Sequence, residues 1–247
     1  MNNPFYFTIA LDQKNHEYAK RMMNSFRKTN PGKEIQLFTM DDFRNRGLVF
    51  EQGDQYKMTA VFINSLMDKH ECVVRLDADQ IITGDLSHVT EGDFDVAVVQ
   101  NSNPRERSTI EVTIHDIDPM DYVNCGFVVV KSKKFAEHFE KLARSQYNNT
   151  QFREQDLLNI LVYYFDYKVK FLDKSDKWHG LISKQYNAEF VMKDGKLILP
   201  KNDWADTDKE IVCYHFAGGE NAKKFQDLAI RFSPEVQAYL EELMNDK

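Results

Sequence analysis

Short apolar runs alternate along this chain with stretches whose apolar residues recur every three or four positions. "FYFTIAL" (Phe5–Leu11) is an unbroken apolar run of strand length, as expected of a strand covered on both faces. "NHEYAKRMMNSFRKTNP" then places Tyr18, Met22 and Phe26 at helical spacing, and Asn30-Pro31-Gly32 stops it. "EIQLFTM" predicts a second strand. "DQYKMTAVFINSLMDKHE" puts Met58, Val61, Phe62 and Leu66 on one helical face and delivers the chain to a third strand, "CVVRL". "FDVAVVQ" and "YVNCGFVVVK" are further strands, and Gly126 inside the latter implies a close backbone approach. "EQDLLNILVYYF" is helical, with Leu157, Leu158, Leu161 and Phe165 on one side. "YKVKFLD" and "EIVCYHFAGG" are late strands. "SPEVQAYLEELMN" closes the chain as a helix, capped by Ser233 with Pro234 in its first turn.

Strands alternating with helices through the first two thirds predict an α/β fold with a mainly parallel sheet. No composition break, repeat or low-complexity tract interrupts it, so residues 1–247 are expected to form a single domain. The polar, irregular stretch Asn101–Met120 is the candidate mobile loop or flap.

Composition narrows the class. Eighteen Phe and eleven Tyr against six Pro and ten Gly mean large buried rings and few flexible linkers. A net charge of −7 argues against a nucleic-acid partner, which needs a basic face. That balance leaves room for local basic patches, and one of them, "KSKK" at Lys131–Lys134, reads as a solvated face. Cys72, Cys125 and Cys213 show no metal-type spacing and sit in apolar runs, as buried free thiols do. The N-terminus lacks the basic lead and cleavage site of a secretory leader, and no apolar stretch approaches the roughly 20 residues a membrane span needs. A cytoplasmic protein without a transmembrane segment is the expectation.

The chemistry is concentrated at strand ends. In "CVVRLDADQIITGDL" (Cys72–Leu86), Asp77 and Asp79 follow a strand, and ligands of open parallel sheets bind beyond the carboxyl ends of strands. Two carboxylates there repel unless a cation lies between them, and a divalent ion is hard enough to prefer oxygen. The alternative is a turn cap at Asp77 with Asp79 in water. In "CYHFAGGENAKKF", His215 would complete a mixed nitrogen–oxygen set suited to Mn²⁺, or serve as a structural hydrogen-bonding group. Gly218 and Gly219 would let backbone approach phosphate, with Lys223 or Lys224 neutralising it. Glu154, Gln155 and Asp156 open a helix whose dipole alone accounts for the acids. Lys57, in the helix before the aspartates, is in isolation an ordinary surface lysine.

Taken together these segments resemble nucleotide-sugar glycosyltransferases of the GT-A fold, and among them the retaining family 8 that includes glycogenin and bacterial lipooligosaccharide galactosyltransferases. "TIALDQKNHEYAKRMMNSF" resembles the family's opening strand and helix, and "VVRLDADQIITGDL" its metal-binding D-x-D segment. "YVNCGFVVVK" is similar to its N-x-G strand, "REQDLLNIL" to its D-Q-D helix start, "KQYNAEF" to its Tyr-Asn segment and "YHFAGG" to its late H-x-x-G. The departures are a lysine two residues late with no Pro-Trp after it, Glu154 for the first D-Q-D aspartate, and Lys57 where many members carry Arg.

The resemblance implies a Rossmann-like GT-A domain whose nucleotide-binding part is roughly residues 1–100 and whose acceptor and catalytic part is roughly residues 101–247. It implies Asp77, Asp79 and His215 as ligands of Mn²⁺ (Mg²⁺ as the alternative) holding the diphosphate of a UDP-sugar. Ala10 and Asp12 would face the base, Lys57 the diphosphate or donor sugar, Gly218 and Lys223 the phosphates. Asn124 and Glu154 would bond the sugar, Gln155 would lie beneath the anomeric carbon and Asp156 would support it. The implied activity is hexosyl transfer to a saccharide or glycoconjugate with retention. Carboxamides are poor nucleophiles, so attack on the face the leaving phosphate occupies is expected. A sugar-1-phosphate nucleotidyltransferase lacks support because "IALDQKNHEY" has no glycine-rich loop, and a haloacid-dehalogenase-type phosphatase because Gln80-Ile81 follows the D-x-D. A non-catalytic nucleotide-sugar binder of the same fold is the alternative from another class.

Overall fold

A computed structural model describes residues 3–45, 58–100, 117–118, 121–146, 150, 152–180, 189–202, 205–216 and 232–245. The first half comprises β1 (Phe5–Ile9), α1 (Gln13–Thr29), β2 (Ile35–Phe38), α2 (Met40–Asn45), α3 (Met58–Leu66), β3 (Val73–Leu76), β4 (Gln80–Ile82) and β5 (Val96–Gln100). There follow β6 (Val123–Val130), α4 (Lys133–Gln146), α5 (Glu154–Tyr164), β7 (Val169–Phe171), β8 (Lys177–Trp178), β9 (Val191–Lys193), β10 (Lys196–Leu199), β11 (Lys209–Ile211), β12 (Cys213–His215) and α6 (Pro234–Met244).

Six strands form the central sheet in the order β2-β1-β3-β6-β5-β7. β1 is parallel to β2 and β3, and β5 to β7, whereas β6 runs against both its neighbours. The sheet is thus mostly parallel with one reversed strand, the α/β architecture expected. Period-two alternation sorts its side chains between two faces. Phe7 and Val73 pack with Phe62, Phe135, Leu157 and Leu161 beneath α3, α4 and α5, while Tyr6, Val74 and Leu76 pack with Met22 and Phe26 of α1. Arg75 and Asp77 follow Val73 at that same spacing, on the α3–α5 side, and this places the site.

Several elements differ from the sequence expectation. "EIVCYHFAGG" is two strands: β11 joins the small sheet β8-β11-β10-β9, and one residue later β12 pairs with β4. "EIQLFTM" stops as a strand at Phe38, and Met40 opens α2. The end of "YKVKFLD" becomes a 3-10 turn at Leu172–Lys174. Helix α4 has no counterpart in the sequence reading, although Phe135, Ala136, Phe139 and Ala143 give it a buried face. Two lysines of "KSKK" contact other parts of the chain: Lys131 lies over the Phe94 ring and Lys133 pairs with Asp68. All three cysteines are buried and free, as expected. Ser233 caps α6 with Pro234 in its first turn, also as expected. Asn101–Met120 lies outside the described residues apart from residues 117–118.

Candidate active site

The turn after β3 carries Asp77 and Asp79, and the pairing of β12 with β4 sets His215 opposite Gln80. That pairing brings the imidazole to the paired carboxylates from far away in sequence. His215 Nε2 lies 3.1 Å from Asp79 Oδ1 and 3.4 Å from Asp77 Oδ2. One ligand atom from each of the three residues lies within 4.8 Å of the others. Main-chain bonds hold the frame: Asp77 N–H donates to Gly126 O (2.8 Å) and Phe216 N–H to Asp79 O (3.0 Å). Both aspartate side chains are partly shielded, at 29% and 15% exposure, so neither the plain turn cap nor a carboxylate in open water describes them.

Gly126 makes the space. A Cβ there would come within 2.7 Å of Asp77 Oδ2 and of Asn124 Oδ1, and closer still to His215 Cε1. The close approach expected at this glycine is therefore to the site itself. Asn124 Oδ1 also accepts the Gly126 N–H at 2.7 Å.

The charges compensate one another. Burial pushes Asp77 up, but Arg75's charge and the His215 hydrogen bond outweigh it and hold the carboxyl at about 2. Burial pushes His215 down, yet Asp79 and Asp77 together lift it to about 9. Two carboxylates and one imidazole, able to crowd together because Gly126 has no side chain, are a donor set whose chemistry fits a hard to borderline divalent cation.

Helix α5 brings the second group of residues. Arg153, its N-cap, sits at φ 56 and ψ −124, a region sparsely used by side-chain-bearing residues. Glu154 follows, buried; its Oε1 faces Cys125 Sγ at 3.6 Å and its Oε2 has no hydrogen-bond partner among the described residues. Burial pushes its carboxyl up to about 7, against the opposing pull of Arg75. Gln155, half-buried, accepts the Cys125 N–H through Oε1 at 3.3 Å. Asp156 is fully buried, bonded to Tyr122 OH (2.5 Å) and Phe152 N (2.9 Å), so it secures the first turn rather than facing a ligand.

Asp12, Asn15, Thr59, Arg75, Asp77, Asp79 and Glu154 line a common cleft of about 400 Å³. Asp12 also caps α1 through Asn15 N at 2.7 Å. Ala10 is buried, its N–H donating to Phe38 O and its carbonyl accepting from His16, and its neighbours Ile9 and Leu11 line the cleft instead. Lys57, Gly218 and Lys223 lie outside the described residues, as do most of "KQYNAEF" and the sequence after Phe216. Arg75 and Cys125 were not anticipated. An arginine inside the apolar run "CVVRL" was the available signal, since a buried cation demands a partner.

A strand-end carboxylate pair and an imidazole thus meet at a cleft beyond a mostly parallel, helix-flanked sheet, the architecture that GT-A glycosyltransferases share. The Glycosyl transferase family 8 profile matches residues 1–228, and the chain belongs to that family. The nucleotidyltransferase and phosphatase alternatives fall away with that membership. Among solved structures, the galactosyltransferase LgtC, crystallised with donor and acceptor sugar analogs, is 14% identical with a TM-score of 0.60; the match covers 98% of this chain and 97% of that one. A glycosyltransferase involved in glycosylating the major capsid of PBCV-1 is 12% identical at a TM-score of 0.56, over 93% of this chain and 100% of that one. The bifunctional WbbM is 13% identical at a TM-score of 0.55, over 99% of this chain, which spans only 52% of the WbbM chain. No curated protein sequence matches significantly. Among the described residues, no helix is long and apolar enough to cross a membrane.

Proposed function

We propose that this glycosyltransferase moves a hexosyl group from a UDP-sugar to a saccharide or glycoconjugate, with retention of configuration and dependence on a divalent cation, Mn²⁺ in first place and Mg²⁺ as the alternative. The observation carrying this reading is the convergence of Asp77, Asp79 and His215 to within 4.8 Å of one another, packed against Gly126. When bound there, the cation would supply Lewis-acid stabilisation of the charge that develops on the leaving diphosphate.

The remaining work falls to the protein. Asp12 and the main chain around Ala10 would face the base at one end of the cleft. Lys57, Gly218 and Lys223 would serve the diphosphate. The Glu154 oxygen that lacks a partner among the described residues suits a sugar hydroxyl, and Asn124, its carbonyl oxygen engaged by Gly126, would bond the sugar from β6. Gln155 would lie beneath the anomeric carbon, held by the Cys125 N–H, with Asp156 supporting its helical turn through Tyr122. A carboxamide attacks poorly, so the acceptor hydroxyl is expected to enter on the face that the leaving phosphate vacates, passing an oxocarbenium-like state. Three buried free thiols favour a cytoplasmic, reducing setting. The family profile's span across residues 1–228 favours one GT-A domain.

Hydrolysis of UDP-sugars without acceptor, followed by NMR, tests the reading. The released sugar should keep the donor's anomeric configuration at early times. Absence of any turnover with every UDP-hexose would favour a non-catalytic binder, and a stable glycosyl adduct on Glu154 or Asp156 would overturn the same-face route.

A further inference from the structure

Arg75 is the one cation among the described residues lining the cleft, set among Asp12, Asp77, Asp79 and Glu154. It is 7% exposed, and burying a guanidinium is costly unless its N–H groups are well used. Two of its nitrogens are engaged in different directions. Nη2 pairs with Asp77 Oδ1, and Nη1 donates to the carbonyl of Cys125, fifty residues later on β6. Asp77 is therefore held by both oxygens, Oδ1 by Arg75 and Oδ2 beside His215. Cys125 is a junction in turn: its N–H reaches Gln155 and its thiol faces Glu154. One planar side chain thus joins the carboxylate on the D-x-D turn to the strand segment on which the start of α5 rests.

We propose that Arg75 is a positioning residue of the transfer reaction. Its fork presents Asp77 to the cation in a fixed orientation and fixes the Cys125 segment that seats Glu154 and Gln155. This rests on the cation-dependent reading given above. The role requires the fork and not only the charge. A lysine's compact ammonium is a point donor on a flexible stem and cannot hold a carboxylate and a carbonyl in one plane. Groups that orient metal-bound side chains typically contribute about 10–100-fold in affinity or activity.

The test is Mn²⁺ titration followed by electron paramagnetic resonance of the free ion. It compares wild type, Arg75→Lys, Arg75→Met and Asp79→Ala, with thermal melts recorded to confirm folding. Both Arg75 variants should bind Mn²⁺ about 10–100-fold more weakly than wild type, at temperatures well below their melting transitions. Should Arg75→Met not fold, Arg75→Lys decides alone. Wild-type affinity in the Arg75 variants, with binding lost in Asp79→Ala, overturns the positioning role and leaves the cation site standing. Full recovery in Arg75→Lys but not Arg75→Met also overturns it, in favour of a plain counter-charge. No binding to wild type, or equal binding to Asp79→Ala, overturns the cation site itself and Arg75's role with it.

Discussion

Two buried histidines in this protein have opposite fates. His215 touches two carboxylates and is lifted to about 9 against the effect of burial. His179, after β8, meets His88 of the 3-10 turn Ser87–Thr90 with their Nε2 atoms 2.7 Å apart. Burial, His88, Lys177 and Lys170 hold His179 well below its ordinary value. His88 is pushed by burial, Lys177 and Lys170 to about 4, with Asp85 and Glu91 opposing. The ring type is the same and the burial similar, so the neighbours decide. Carboxylates make the first a group that must exchange its proton for a metal before it can ligate. The second pair shares one hydrogen bond between neutral rings and clamps two elements. Neither Nδ1 of the pair has a partner among the described residues.

The largest effect separating the two regions is steric. Gly126→Ala drives a methyl group into Asp77, Asn124 and His215, and displacement of about 1 Å at a reacting centre can cost on the order of 100-fold. Turnover of the donor should fall by about that factor. Gly180→Ala beside the histidine pair meets Trp178 Nε1 at 3.1 Å and should leave turnover within about twofold. Equal activities in these two variants would remove the distinction.

Next in size are the opposite pH limbs, read by urea denaturation with chelator present. His215's folded value of about 9 exceeds the ordinary imidazole value of 6.5. Its contribution is complete below 6.5 and is lost as pH rises through 9, roughly 2–3 kcal/mol that His215→Asn should abolish. His88's folded value of about 4 lies below 6.5, so the unfolded chain binds more protons between those values. Stability is then present above 6.5 and is lost as pH falls through 4. The size is on the order of 1–2 kcal/mol after discounting for His88's partial exposure. The double variant His88→Leu/His179→Leu should flatten this acid limb alone. An unchanged acid limb in that variant would mean other groups set it.

The smallest effect concerns Asp12, which both caps α1 and lines the cleft. Asp12→Ala should cost about 1 kcal/mol in denaturant unfolding, and Asp12→Asn almost nothing, because asparagine caps as well as aspartate. A loss in Asp12→Asn equal to that in Asp12→Ala would show that charge in the cleft, not capping, is what the fold uses.

The same contrast explains what was legible in the sequence. Asp77, Asp79 and His215 could be found because carboxylates at a strand end and a histidine at the end of another strand are chemically conspicuous, and segment order tied them together. Gly126 was conspicuous as a glycine inside a strand. The clamp was not, because His88 and His179 are ordinary residues brought together across 91 positions by tertiary structure alone. The late strand run misled for a related reason. An apolar stretch does not disclose that the chain changes sheets, and only pairing puts Ile211 against Trp178 and Cys213 against Ile82. Other misses left signals. Phe135, Ala136, Phe139 and Ala143 fall at helical spacing, and Asp194-Gly195 joins β9 to β10 with φ 52 and 73, the pattern of a tight hairpin turn. Arg75 left a signal of type, and Asp77, one of its partners, stands two residues away, but its other partner, Cys125, is remote in sequence.

The central claim is that Asp77, Asp79 and His215 join a cation to a nucleoside diphosphate, and calorimetric titration of UDP tests it most directly. Wild type and Asp79→Ala would each be titrated with and without Mn²⁺. The account predicts heat of binding only for wild type with Mn²⁺, and near silence in the other three experiments. Tight UDP binding without the ion, or undiminished binding to Asp79→Ala, would contradict it.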